Sequence, residues 1–502
     1  MPKQSQFIEE ITAAYSFKGE TMIMGAAMLG GLVVENATIN LPLKTMNRHG
    51  LIAGATGTGK TKTLQVIAEG LSNASIPVLM MDIKGDLSGI GMEGEANEKI
   101  IQRFTNVGLE FNPAAFPVEF LTISEEKGTK MRSTVTEFGP ILLSKILGLN
   151  ENQEGLVSVI FKYCDDNKLP LLDLKDFIKV LQYVSNEGRK EIEADYGKIV
   201  TTSTGTILRK VIELQQQKAD EFFGERSFEV DDLMRISDDG RGMISVMRVT
   251  DLQDRPKSFS TFMLSLLDEL YGSMPEEGDL DKPKLVIFVD EAHLLFSEAS
   301  SALLQKIETV IKLIRSKGIG IFFCTQNPTD VPAPVLAQLG LKVQHALRAF
   351  TANDRKAIKL TADNYPISEY YKTEDLITQL GIGEAFITAL NEKGIPTPLV
   401  HVQLIAPTSR MGILEDREID HIIGRSDIKD KYDEVIDTDS AYEILTEKLD
   451  SAIAKTESVM NTDTFEKVMK HPIVRQVGRT AASIITRSIL GALGMGGKRK
   501  WF

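Results

Sequence analysis

Short apolar runs that end in a glycine or an acid recur along this chain, with amphipathic stretches between them. Leu51-Ile52-Ala53 leads into a glycine-rich turn, and Lys62 to Leu71 then has helix-compatible spacing. Pro77 to Asp82 reads as the next strand. Leu285 to Val289 is apolar throughout, as expected of a strand buried on both faces of a parallel sheet. Gly320 to Cys324 is a second run of this kind. Met243 to Val249, Leu341 to Phe350 and Glu384 to Leu390 complete the strand set. Helical periodicity marks Ser258 to Tyr271 and Leu303 to Arg315. Alternating strands and helices predict an α/β fold built on a parallel sheet.

The pattern changes over roughly Ile123 to Gly240. Gly139 to Leu149, Gly155 to Asp165 and Thr201 to Phe223 are helical in period, with no strand signal between them. The chain therefore divides into five parts. Residues 1–46 form a small β-rich region, 47–122 a first core segment, 123–240 a helical insertion, 241–410 a second core segment, and 411–502 a helical extension. In the first part, Thr21 to Val34 is uncharged but interrupted by Gly25, Gly30 and Gly31. It reads as short strands and turns, because a membrane helix needs about 20 apolar residues. The extension splits by charge. Met411 to Met469 is strongly acidic, whereas Lys470 to Phe502 is basic without a single acid and ends Lys498-Arg499-Lys500-Trp501-Phe502. Such a tail suits nucleic acid, a membrane surface or the acidic segment beside it.

Composition narrows the function. A net charge of −13 argues against a broadly basic nucleic-acid surface and leaves room for a local basic channel. Lys127, Lys130, Arg132 and Lys257 are candidates to line one. Two cysteines, Cys164 and Cys324, exclude a disulfide framework and suit a reducing cytoplasm. The histidines show no metal-ligand spacing, so no structural metal is expected, and no membrane span is expected either.

The glycine-rich turn carries the chemistry. Gly54-Ala55-Thr56-Gly57-Thr58-Gly59-Lys60-Thr61 is a complete phosphate-binding loop (Walker A), placed between a strand and a helix as its mechanism needs. Glycines let backbone N–H groups close on phosphate oxygens. Lys60 should reach the β- and γ-phosphates of ATP, and the Thr61 hydroxyl should ligate Mg²⁺. Thr63, one step into the helix, joins the nucleotide-binding set. A second site lies at the end of the Leu285–Val289 strand (Walker B). There Asp290 would hold Mg²⁺ through water and Glu291 would polarise the attacking water. His293 either couples nucleotide state to a neighbour or caps the turn. Asp82 and Lys84 face the nucleotide or a pore, or form an ordinary polar loop. Gln326, after the Gly320–Cys324 strand, can bond the γ-phosphate or the water. Arg315 sits between helix and strand, suited either to a neighbour's nucleotide or to a solvated helix end.

The set Gly-Ala-Thr-Gly-Thr-Gly-Lys-Thr, Val289-Asp-Glu-Ala-His293, Arg315-Ser-Lys-Gly-Ile-Gly320 and Cys324-Thr-Gln326 resembles the HerA/FtsK superfamily of RecA-like ring ATPases. More closely, the chain resembles the bacterial HerA-like ATPases of the DUF853 family. Leu147 to Gln153, Gly278 to Lys284, Gln338 to Arg348 and Gly381 to Ala385 add to the likeness, which covers about residues 20 to 410. The superfamily likeness implies a RecA-like P-loop fold and a homo-oligomer, a hexameric ring, that translocates DNA, with double-stranded DNA as the candidate partner; the closer family adds no function of its own. Arg315 falls at the trans-acting arginine finger, with Arg348 and Arg355 as reserves, and residues 1–46 stand for a reduced N-terminal barrel. The Asp-Glu-Ala-His string also invites a two-domain helicase reading, but the residues after Cys324 show no second RecA-like unit. Two other readings use the same loop: an ATPase that remodels a protein or nucleoprotein, and a nucleotide-gated scaffold. The hydrolytic Glu291 argues against the scaffold.

Overall fold

The computed structural model describes residues 2–278, 280–297, 301–434, 436 and 438–459. Among them, β1 (Thr21–Leu29), β2 (Leu32–Pro42), β3 (Gly50–Ala53), β4 (Val78–Asp82), β5 (Val118–Thr122) and β6 (Thr129–Lys130) precede β7 (Ile244–Arg248) and β8 (Leu285–Val289). After these come β9 (Ile319–Thr325), β10 (Leu341–Gln344), β11 (Glu384–Thr388) and β12 (Val400–Leu404). All twelve form one sheet in the order β2-β1-β12-β11-β10-β3-β9-β8-β4-β7-β5-β6. From β10 to β6 every pairing is parallel. The other four strands pair antiparallel and extend the sheet from β10. The N-terminal strands thus continue the core sheet, with β1 beside β12.

Period-two alternation explains the two-sided core. Leu285, Ile287 and Val289 pack with Ile321 and Phe323 on one face, while Val286 and Phe288 pack with Phe322 and Cys324 on the other. Phe288 and Phe322 lie with ring centroids 5.1 Å apart. Burying each such side chain contributes roughly 2–3 kcal/mol.

The helices cover both faces. They begin with α1 (Pro2–Ala14), α2 (Lys60–Asn73) and α3 (Glu98–Thr105). Five helices follow between β6 and β7: α4 (Val135–Ile146), α5 (Glu151–Asp166), α6 (Leu174–Ser185), α7 (Arg189–Tyr196) and α8 (Thr201–Gln216). Capping boxes start three of these, at Thr134/Glu137, Asn150/Gln153 and Asp173/Asp176. Then come α9 (Pro256–Ser273), α10 (His293–Ser297) and α11 (Ser301–Ile314).

Several elements differ from the sequence reading. Residues 2–14 are helical rather than β-compatible, because Phe7, Ile11 and Tyr15, spaced four apart, bury one stripe. The helix expected from Gly139 starts earlier, at Val135, and kinks at Gly139 (φ 76°) before Pro140. The helix expected to run to Phe223 ends at Gln216, and Lys218 then takes a left-handed turn (φ 60°). The strand expected to reach Phe350 ends at Gln344, and the next residues turn to the phosphate loop. No helix among the described residues is long and apolar enough to cross a membrane. The basic tail from Lys470 to Phe502 lies outside the described residues.

Candidate active site

The carboxyl ends of β3, β9, β8 and β4, neighbours in the sheet, hold the candidate residues. β3 ends at Ala53, the loop turns through Gly54 to Gly59, and Lys60 opens α2. Gly54 (φ 155°) is required twice over: by its backbone angle, and because a Cβ would meet the His345 Cβ at 2.5 Å. Lys60 is buried, and its Nζ donates to the carbonyls of Gly54 (2.7 Å) and Ala55 (3.3 Å). Burial, then the nearby Lys84 charge, lowers its pKa from the usual lysine value. The Thr58 hydroxyl donates to Ala55 O at 2.7 Å, closing the loop further.

Asp290 and Glu291 follow β8 and are 3% and 4% exposed. Asp290 Oδ2 has no hydrogen-bond partner among the described residues. Burial, then the Glu291 charge, pushes Asp290 up to about 7. A buried carboxylate oxygen without a donor at Asp290 is a hard-oxygen ligand of the kind that suits Mg²⁺, and the half-buried Thr61 at the start of α2 offers a hydroxyl of the same class. Glu291 has a left-handed backbone, φ 46°, unusual for a non-glycine residue. Its Oε1 is in direct contact with Lys84 Nζ, and His293 Nδ1 lies 3.2 Å from Oε2.

Asp82, at the end of β4, is fully buried and accepts from the N–H groups of Gly85 (2.7 Å), Asp86 (3.1 Å) and Leu87 (3.3 Å). Burial, then the Asp86 charge, raises it to about 6. Asp82 therefore shapes the loop that delivers Lys84. On β9, Thr325 Oγ1 donates to Asp330 Oδ2 at 2.6 Å, and Asn327 N donates to the same oxygen at 3.1 Å. Gln326 is exposed between these two anchored residues.

On the other side of the loop, Thr63 meets residues the sequence reading did not select. Thr63 is buried with its hydroxyl 2.9 Å from His345 Nε2. Gly383 N donates to Thr58 O at 3.0 Å. The Arg103 guanidinium donates to the carbonyls of Ile382 (2.8 Å), Gly383 (2.9 Å) and Leu404 (2.8 Å). Gly381 to Ala385, in sequence only a family motif, is a buttress of the phosphate loop.

Of the candidate finger arginines, Arg315 lies away from this edge. Arg315 is exposed in the turn before β9, at that strand's amino end. Arg348 donates to Thr378 O at 2.9 Å, and Arg355 is exposed on the helix Ala352–Asp363. Lys127 pairs with Asp420 (2.9 Å) and Asp416 (3.6 Å), and Lys257 pairs with Glu213. Arg132 donates to Glu225 O (3.2 Å) and Tyr432 O (3.3 Å).

The sequence model of the helicase HerA-like C-terminal family matches residues 32–460. The chain belongs to this HerA-like family. Among its relatives, the DNA double-strand break repair helicase HerA of Sulfurisphaera tokodaii is 25% identical over 373 residues, 72% of this chain and 66% of that protein. The protein of the same name from Sulfolobus acidocaldarius is 24% identical over 402 residues, 78% of this chain and 70% of its own length. The HerA-like chain thus matches about two thirds of the length of these relatives. Its fold is that of a P-loop ATPase. The bacterial conjugative coupling protein TrwB superposes with a TM-score of 0.52 at 13% identity, over 81% of this chain and 94% of the other. TrwB bound to a non-hydrolysable ATP analogue gives 0.51 at 14% identity, over 80% and 99%.

Proposed function

We propose that this HerA-like chain is a cytoplasmic Mg²⁺-dependent ATPase that works as a homo-oligomeric ring, a hexamer, and moves double-stranded DNA. The observation that carries the reading is the meeting of Lys60, Asp290, Glu291 and Gln326 at one sheet edge, with Arg315 at the opposite edge. Segments 47–122 and 241–410 act as the motor core, with 1–46 flanking it, 123–240 inserted and 411–502 appended. Relatives named as DNA break repair helicases support DNA as the substrate.

Lys60 exchanges its loop carbonyls for the β- and γ-phosphates, with the loop N–H groups around it. Gly54 to Thr61 make up the nucleotide seat, and Thr63, expected in that set, braces it through His345 instead. Thr61 and Asp290 would hold Mg²⁺, which when bound neutralises phosphate charge. Glu291 accepts a proton from the attacking water, and Gln326 orients that water. Arg315 reaches a neighbouring subunit's γ-phosphate.

The test is the ATPase rate with and without double-stranded DNA at low and moderate salt. Stimulation that fades as salt rises supports a DNA motor. No stimulation at either salt favours a protein or nucleoprotein substrate, a reading to which the net charge of −13 also points.

A further inference from the structure

Glu291 is flanked on both sides. Lys84 Nζ touches Oε1 and His293 Nδ1 faces Oε2. A general base must offer a lone pair to the water it deprotonates. A carboxylate oxygen capped by an ammonium does not offer one on that side. The pair is also asymmetric: the Glu291 side chain is 5% exposed and that of Lys84 36%. The glutamate is fixed within the fold and the lysine stands at its surface.

Lys84 comes from the loop after β4, the strand hydrogen-bonded to β8. Asp82 holds that loop through three backbone N–H groups, so Lys84 is delivered to Glu291 by a built turn. Lys60 is also within electrostatic range of Lys84, and the like charges disfavour each other. An approaching phosphate would therefore find in Lys84 a partly exposed cation in direct contact with Glu291, with Asp290 and Asp86 adding to the pull it must overcome.

We infer that Lys84 is a positioning residue that restrains Glu291, and that the backbone phosphates of bound nucleic acid release it. The inference rests on the ATPase reading above. With ATP alone the restraint holds. With a polyanion at the β4 loop, Lys84 turns outward and Glu291 faces the water. Basal turnover is thereby kept low until the substrate polymer is engaged.

The test is Lys84→Met, which keeps the stem and removes the charge, beside Lys84→Arg, which keeps the charge. ATPase is measured in the full-length protein at saturating ATP, with and without duplex DNA, and the thermal midpoint of each variant is recorded. A partly exposed ion pair sets the scale, so Lys84→Met should raise basal kcat about fivefold at unchanged KM and thermal midpoint. Lys84→Arg should return kcat to the wild-type value. Where wild type is stimulated by DNA, the ratio in Lys84→Met should fall toward one. A raised basal rate in a protein that DNA never stimulates would support the restraint while the DNA reading fails. A basal kcat equal to or below wild type would overturn the inference. So would a raised KM, since Lys84 would then serve the nucleotide phosphates.

Discussion

Arg315 and Gln326 bracket one strand. The turn Arg315–Lys317 precedes β9, Gln326 follows it, and the seven residues of β9 separate them by about 20 Å. The arginine of one chain therefore cannot lie over that chain's own phosphate loop. If Arg315 serves catalysis, it serves a neighbour's site. Specific ATPase activity should then rise with protein concentration over the range in which rings form by light scattering. Activity per chain that is flat across that range would contradict this.

Lys60→Ala should abolish tight ATP binding, because it removes the buried ammonium of the loop. Glu291→Gln should still bind ATP and lose about 10²–10⁴-fold in turnover, the usual contribution of a positioned base. Equilibrium binding of a fluorescent ATP analogue, read beside steady-state turnover, separates the two. Near-normal turnover in Glu291→Gln would remove Glu291 from the role given to it.

The phosphate-loop helix is also anchored from behind. Glu69 on α2 is buried and accepts from Thr408 N (2.8 Å), Thr408 Oγ1 (2.7 Å), Ser409 N (3.1 Å) and Ser409 Oγ (2.5 Å). Glu69→Ala leaves four donors without an acceptor. The expected cost is roughly 2–4 kcal/mol, since unsatisfied buried groups are expensive. Urea unfolding measures it, and a loss under about 1 kcal/mol would show that the anchor matters little.

Two buried histidines contribute to the pH dependence of stability. His49 is buried, with Nδ1 accepting from Ile321 N (3.0 Å) and Nε2 facing Ile311 O (2.9 Å). Burial holds it at about 4, and burial followed by the Lys60 charge does the same for His345. Both values lie below the unfolded value of about 6.5, so the fold refuses protons that the unfolded chain takes. Their contribution is complete above about pH 6.5 and is lost as pH falls toward 4, up to roughly 3 kcal/mol each. Asp82 and Asp290, raised to about 6 and about 7, act in the opposite sense over the same window, so the readout is the difference between proteins: as pH falls from about 6.5 to 4, the thermal midpoint of His49→Gln should gain on that of wild type. An equal pH response in both proteins would contradict the assignment to His49.

What was legible in the sequence was local. The phosphate loop, the Asp290-Glu291 pair and Gln326 each follow an apolar strand directly, so chain order alone places them at strand ends. Glu69, His345, Gly383 and Arg103 were not legible, because their partners come from distant parts of the chain. Thr63 meets His345 only because β10 lies beside β3, with Gln344 opposite Ala53. Knowing that strand order would have put His345 against Gly54. Lys84 stands out in the sequence beside Asp82, yet its contact with Glu291 depends on β4 lying next to β8. The helix α1 did carry a signal, Phe7-Ile11-Tyr15, which the polar residues around it obscured.

The claim that one chain cannot complete its own site is tested most directly by mixing two inactive proteins. Arg315→Ala keeps the phosphate loop and loses the finger, while Lys60→Ala does the reverse. With subunit exchange confirmed, mixed rings should hydrolyse ATP faster than either parent, because a Lys60→Ala subunit supplies Arg315 to its neighbour's intact loop. A trans-acting arginine is worth about 10³–10⁵-fold, so even a minority of completed sites would stand clear of both parents. Mixed rings no more active than the parents at every ratio would contradict a shared site.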